Sequence, residues 1–267
     1  MDGARHDLLA ITRGVSDAFA RCELTHLARV AIDLGRARAE HAGYCALLAE
    51  LGCAVEEIAS DPELPDCVFV EDTAVVVDEL AVMTRPGAAS RRGELPAVEA
   101  ALARHRPLCR VEGRIEAPGT LDGGDVLVAG RRVFVGRSER TNDAGVAQLR
   151  AHLAPHGYSV EAVAVRGCLH LKSAVTRVGP DLLLIQREWI DPEPLAGFEL
   201  VDADPDEPFA ANALRVGEVV VLPDAFPKTR RRLEARGINV APVAVSEIAK
   251  AEGGVTCCSL LLRGSAV

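Results

Sequence analysis

The chain has no excess of basic residues: 30 Lys and Arg stand against 39 Asp and Glu, a formal net charge of −9 over 267 residues. Phosphate backbones and anionic lipid surfaces are bound by basic faces, so neither nucleic acid nor membrane is expected as a partner, and a small-molecule substrate is. Long apolar runs are also missing. Nothing approaches the ~18 residues of a membrane span, and the opening MDGARHDLLAITRG carries no apolar stretch after a basic one. A cytoplasmic location is the expectation. No CxxC occurs among the eight cysteines, whose irregular spacing offers no ligand pattern for structural zinc. In a reducing compartment most are expected as thiols packed like small hydrophobes. Finally, no Pro/Gly-rich linker divides the chain, so residues 1–267 are expected to form one domain, with 49% hydrophobic residues to fill its core.

What is present is a repeat of pattern rather than of letters. Apolar spacing of three to four predicts a long helix over 26–51, ending at Gly52, with the strand CAVEEIA after it. Beyond it, hairpins alternate with single helices. TAVVVDELAVMTRPG, GDVLVAGRRVFVGRS, SAVTRVGPDLLLIQ and ALRVGEVVVLP read as strand, turn, strand, while RGELPAVEAALARH, NDAGVAQLRAHL and PKTRRRLEARG read as helices. The acidic, proline-bearing stretch WIDPEPLAGFELVDADPDEPFA is expected to be mostly loop. The first strand, DLLAITR, and the last, CCSLLLRG, lack hairpin partners and are expected to pair with each other. About five units of hairpin, helix and strand predict small sheets repeated around an axis, an α/β propeller. A doubly wound α/β sheet is the alternative, but it would need single strands between helices.

A polar cluster precedes the first strand of each unit: DCVFVED, TLDGGDV, CLHLKS, FAANAL and VTCCSL. Around an axis these clusters converge and bring carboxylates, His170 and a cysteine into one pocket. Taken singly, His170 reads as a core histidine between two leucines, and Asp122 as a turn residue beside two glycines. Together they read differently, because a thiol needs a base or cation to become a thiolate and that base needs an orienting acceptor. In a strand, only one of Cys257 and Cys258 can face such a pocket while the other enters the core. Two inert core thiols are the bland reading, and a vicinal disulfide is a strained alternative.

The stretches FVEDTAVV, TRPGAASRRGE, TLDGGDVLVAGRRVFVGRSERTN, CLHLKS and GVTCCS resemble, in order, those of the dimethylarginine dimethylaminohydrolase family of guanidino-group-modifying enzymes. The resemblance spans nearly the whole chain. It implies a five-bladed propeller of ββαβ units and hydrolysis of Nω-methylated L-arginine to L-citrulline and a methylamine, without cofactor or metal. It further implies Cys257 as nucleophile, His170 as general acid and base, and Asp122 as the acid orienting His170, where some relatives carry glutamate. Asp72 with Glu71 would hold the guanidinium. Asp66 and the main chain at Leu24 and Ala251 would take the α-amino end, Arg91 and Arg140 the α-carboxylate, and Phe69 a wall of the pocket. Cys168 stands where the family has glycine, and Ala251 where it has valine. Relatives occur as monomers and as dimers, so a homodimer belongs to the expected range. An arginine deiminase is the nearest alternative, although those enzymes carry an additional helical domain. A non-catalytic sensor of cationic amino acids is the alternative of another class.

Overall fold

The computed structural model describes residues 8–105 and 113–263. The first sheet joins the two ends of the chain. β1 (Leu8–Arg13) runs parallel to β2 (Cys53–Ile58), with α1 (Leu34–Glu50) between them in sequence, and antiparallel to β15 (Leu260–Arg263). The expected pairing of first and last strands is therefore present.

Four more sheets repeat this plan of antiparallel hairpin, connection and parallel third strand. The second holds β3 (Ala74–Val76), β4 (Ala81–Met83), α2 (Leu95–His105) and β5 (Gly113–Arg114). The third holds β6 (Val126–Ala129), β7 (Arg132–Arg137), α3 (Asp143–Leu153) and β8 (Ser159–Ala164). In the fourth, the one-turn α4 (Leu171–Ala174) leads into β9 (Val175–Arg177), β10 (Leu182–Ile185) and β11 (Glu199–Asp202). The fifth holds β12 (Leu214–Val216), β13 (Val219–Pro223), α5 (Pro227–Glu234) and β14 (Asn239–Val243). Among the described residues all five sheets have three strands, the middle one antiparallel to one neighbour and parallel to the other. Residues of the inner strands β3, β6, β9, β12 and β15 line one cavity of about 1000 Å³ along the axis. The architecture is a five-bladed α/β propeller, and the doubly wound alternative is excluded.

Two local expectations are corrected. Residues 26–33 are not helical, and α1 begins at Leu34, because the Asp33 carboxylate caps it by accepting from the Arg36 N–H at 3.0 Å. The preceding N–H groups of Thr25, His26 and Leu27 are held instead by Glu252, at 2.9, 2.5 and 2.5 Å. Within the stretch expected as loop, ELVD forms β11 in parallel register with β10, and a 3-10 turn at 193–195 stands where the other blades place a helix.

Each inner strand is preceded by a single tight turn. 3-10 turns cover 70–73, 123–125 and 208–211, α4 covers 171–174, and an irregular turn covers 255–258. These are the five polar clusters of the sequence. The outer blade faces bury apolar residues against one another: Tyr44 and Leu48 of α1 pack with Phe19, Phe69 and Val255, for example. The inner ends are thereby left to polar groups.

Candidate active site

Glycine explains how the turns approach so closely. A Cβ on Gly123 would lie 1.9 Å from the Glu71 carbonyl oxygen, and one on Gly124 would lie 2.6 Å from His170 Nδ1 and 2.7 Å from Asp72 Oδ1. The Asp-Gly-Gly stretch is thus more than a turn signal, because Gly123 admits the backbone at Glu71 and Gly124 the side chains of His170 and Asp72.

Asp122, fully buried, accepts from the Gly87 N–H at 2.9 Å with Oδ1, and its Oδ2 lies 3.0 Å from His170 Nε2. The other ring nitrogen, Nδ1, lies 3.8 Å from Asp72 Oδ1. Burial works against charge on this imidazole, but Asp72, Asp122 and Asp125 outweigh it and raise His170 to about 9. Asp72 also accepts from the Gly124 N–H at 2.9 Å and from Arg91 Nη1 at 2.5 Å. Burial would raise its carboxyl, yet His170 and Arg91 hold it at about 2. Asp125 supports the same turn by accepting from the Leu171 N–H at 2.9 Å and the Ser138 hydroxyl at 2.6 Å, and burial lifts it to about 6.

Cys257 and Cys258 lie in the turn before β15, so the alternation of a strand does not govern them. The turn itself separates them. Cys257 Sγ accepts from the Gly254 N–H at 3.3 Å and lies 4.0 Å from Thr256 Oγ1, while its carbonyl accepts from the Glu71 N–H at 3.2 Å. Cys258 points its thiol back to the Gly254 carbonyl at 3.7 Å. Both are buried free thiols, which removes the vicinal disulfide; Cys109 lies outside the described residues. Burial first, then Glu71 and Asp72, push the Cys257 thiol up to about 12. Glu71 itself is raised by burial against the pull of Lys172, whose ammonium donates to Oε1 at 2.5 Å; the Thr256 hydroxyl donates to Oε2 at 2.7 Å. Asn212 ties this corner together by donating to the Lys172 carbonyl at 3.1 Å and accepting from the Thr256 N–H at 3.1 Å.

The residues expected at the amino-acid end make the following contacts. Asp66 accepts from the Glu23 N–H, next to Leu24, at 3.1 Å, and Arg140 Nη2 donates to Thr25 Oγ1 at 2.9 Å. Ala251 precedes Glu252, whose carboxylate holds the N–H groups of residues 25–27. Glu252 takes a left-handed backbone, φ 59°, to do so. Phe69 stands against Phe19, ring centroids 5.9 Å apart, with Gly253 so close that a Cβ there would sit 2.3 Å from the Phe69 ring.

Arg91 departs from expectation. It is buried, and its Nε and Nη2 donate to Glu94 at 3.0 and 2.8 Å, its Nη1 to Asp72, and its Nη2 also to the Phe69 carbonyl at 3.0 Å. A guanidinium so engaged presents no open fork to a carboxylate; it is the counter-ion of Asp72. Sequence reasoning also passed over Glu94, Asp125, Lys172, Asn212, Thr256 and Glu252. Glu94, Asp125, Lys172, Asn212 and Thr256 lay inside the quoted TRPGAASRRGE, TLDGGDV, CLHLKS, FAANAL and VTCCSL stretches, while Glu252 carried no local signal.

The family model for N,N dimethylarginine dimethylhydrolase, eukaryotic, matches residues 17–262. The chain belongs to the dimethylarginine dimethylaminohydrolase family. Among its relatives, the N(G),N(G)-dimethylarginine dimethylaminohydrolase of Streptomyces coelicolor is 41% identical over 254 residues, covering 95% of this chain and 96% of that one. The Pseudomonas aeruginosa enzyme of the same name is 36% identical over 228 residues, covering 85% and 89%. A structure of the dimethylarginine dimethylaminohydrolase from Pseudomonas aeruginosa, a cysteine-to-serine mutant complexed with citrulline, superposes with a TM-score of 0.89 at 33% identity, covering 95% of this chain and 98% of that one. The N-terminal domain of ArgZ, a cyanobacterial arginine dihydrolase, shares the fold at a TM-score of 0.86 and 17% identity.

Proposed function

We propose that this dimethylarginine dimethylaminohydrolase family member, residues 1–267 acting as one catalytic domain, hydrolyses Nω-methylated L-arginine to L-citrulline and methylamine or dimethylamine. The observation that carries this reading is the buried line Asp122, His170, Asp72 beside a thiol flanked by Glu71 and Asp72. A guanidinium is a delocalised cation and a poor electrophile. Carboxylates on its edges fix its plane and concentrate charge at the central carbon, where the sulfur attacks.

The electrostatics order the steps. Without a cation, the Cys257 thiol keeps its proton because burial and two carboxylates disfavour a second anion. Substrate brings one positive charge to Glu71 and Asp72, which removes much of that penalty, and the thiol proton leaves to solvent. Sγ bonds to the guanidinium carbon, the bond from that carbon to the methylated nitrogen breaks, and His170 gives its proton to the departing amine. The neutral imidazole then takes a proton from water, hydroxide adds to the thiouronium carbon, and the carbon–sulfur bond breaks as the hydroxyl proton passes to the departing sulfur, releasing citrulline and restoring the Cys257 thiol. Asp122 holds the ring throughout. Arg140 and Asp66, with the main chain at Leu24 and Ala251, take the amino-acid end, and Phe69 walls the pocket.

Citrulline formation measured across arginine, monomethylarginine, asymmetric and symmetric dimethylarginine tests the reading. Turnover of the asymmetric substrate above that of arginine is expected; faster turnover of arginine would make the chain a deiminase. Ligand binding with no citrulline formed would make it a sensor.

A further inference from the structure

Between α1 and the sheet of β1 and β2, His41 and Cys45 of α1 sit one helical turn apart and point at the same place as Glu57 of β2. Cys45 Sγ lies 3.8 Å from His41 Nδ1 and 3.9 Å from Nε2, and Glu57 Oε2 lies 3.6 Å from Nδ1. One donor atom from each residue falls within 4.8 Å of the other two. We propose that these three side chains bind a divalent cation of the zinc class, at a site separate from the catalytic pocket.

Geometry carries the argument. In a tetrahedral zinc site, with metal–sulfur near 2.3 Å and metal–nitrogen or –oxygen near 2.0–2.1 Å, the donors stand about 3.6 Å apart for S and N and about 3.3 Å for N and O. The S–N and N–O separations found here need to close by only about 0.2–0.3 Å, and the Cys45–Glu57 separation, within 4.8 Å, by at most about 1.2 Å. The donor set is mixed and borderline in softness, which suits zinc better than magnesium or calcium.

Charge and burial agree with that choice. The His41 ring is buried, and burial alone lowers it to about 4, so its nitrogen lone pair is available at neutral pH. Cys45 is raised by burial, and a bound dication would displace its proton as it does for other thiol ligands. A thiolate and the Glu57 carboxylate then neutralise a doubly charged ion at a half-buried position. Glu57 is 53% exposed, which leaves a path for the ion and room for a water as fourth ligand. Bound there, the ion would tie α1 to β2 in the blade that joins the two ends of the chain.

The Asp72, Asp122 and His170 donors form a second group of the same kind beside Cys257, so the test must separate the two. Cobalt(II) titration of the full chain carrying Cys257→Ala, followed by absorption, reads thiolate coordination alone. One equivalent with a thiolate-to-cobalt band is expected. Adding Cys45→Ser should abolish the band, and Cys258→Ser should keep it. Glu57→Gln, an exposed change that leaves the core untouched, should weaken binding by at least about tenfold, the scale on which supporting ligand contacts act. Zinc should raise the Tm of the Cys257→Ala protein more than that of Cys257→Ala, Cys45→Ser, since the Asp72, Asp122 and His170 group is common to both. Absence of the band in Cys257→Ala, or its survival without Cys45, overturns the proposal.

Discussion

Asp72→Asn exchanges one oxygen for an amide, yet it should disturb three things at once, because Asp72 faces His170, Arg91 and the proposed guanidinium seat together. For chemistry, losing a buried charge-assisted contact to the reacting cation should cost about 2–4 kcal/mol, roughly 30- to 900-fold in kcat/KM. For protonation, Asp72 is the strongest influence raising His170 to about 9, so the imidazole should titrate lower in the variant. For stability, a carboxyl held at about 2 instead of 3.8 contributes about 2 kcal/mol near neutral pH, at 1.36 kcal/mol per pH unit. Since this carboxyl is depressed on folding, that contribution is present above about pH 4 and fades as pH falls toward 2. The stability gap between wild type and variant should therefore narrow in acid.

The assays are citrulline production, an NMR titration of the one histidine resonance that His170→Ala removes, and urea unfolding at pH 7 and pH 3. Glu94→Gln is the control, since it loosens Arg91 from the side away from the site. It should destabilise the fold while sparing the His170 titration. An Asp72→Asn enzyme with unchanged kcat/KM and an unmoved His170 would refute the electrostatic reasoning.

Further outcomes are expected of the same site. Arg140→Ala should raise KM for substrates with an α-carboxylate and spare methylguanidines that lack one; equal losses on both would remove Arg140 from that role. The wild-type kcat/KM should climb with pH and level off near 9, because attack first requires a proton to leave Cys257 while His170 stops being an acid above about 9; a profile falling from pH 7 would contradict this order. Glu252→Gln should weaken three N–H contacts to the 25–27 segment and raise KM more than it lowers kcat, with hydrogen exchange at those amides as the direct readout.

The repeat was legible because hairpins, helices and turns announce themselves through period and punctuation. The failures were tertiary. Residues 26–33 carry helix-like spacing, but Glu252, more than two hundred positions away, takes the amides of His26 and Leu27, and no local pattern reveals that. ELVD was hidden in an acidic, proline-bearing context and became β11 only by finding β10 alongside it. At the site, turn residues before inner strands located Asp72, Asp122, His170 and Cys257 together, since the propeller axis gathers equivalent positions. Partners inside the core, such as Glu94 on Arg91, needed coordinates. The His41 and Cys45 spacing was readable as i, i+4 on a helix, but without Glu57 from the neighbouring strand it said nothing about a metal.

The vicinal cysteines show where a sound conclusion can rest on the wrong premise. A strand would send their side chains to opposite faces; the observed turn does so by other means, seating Cys257 Sγ under the Gly254 N–H and turning Cys258 toward the Gly254 carbonyl. The functional separation survives because it depends on surroundings: Cys257 lies where an incoming cation can offset Glu71 and Asp72, whereas Cys258 is held high by burial first and then by Cys257 and Cys45. Cys257→Ser should therefore abolish turnover, since a hydroxyl there has no base strong enough to ionise it. Cys258→Ser should keep the chemistry and lose roughly 1–3 kcal/mol of stability to an ill-partnered buried hydroxyl, unless that hydroxyl takes over the Gly254 carbonyl contact. Mass mapping after trapping with an electrophilic amidine should find the adduct on Cys257. An adduct on Cys258 in an active Cys257→Ser protein would reverse the two assignments.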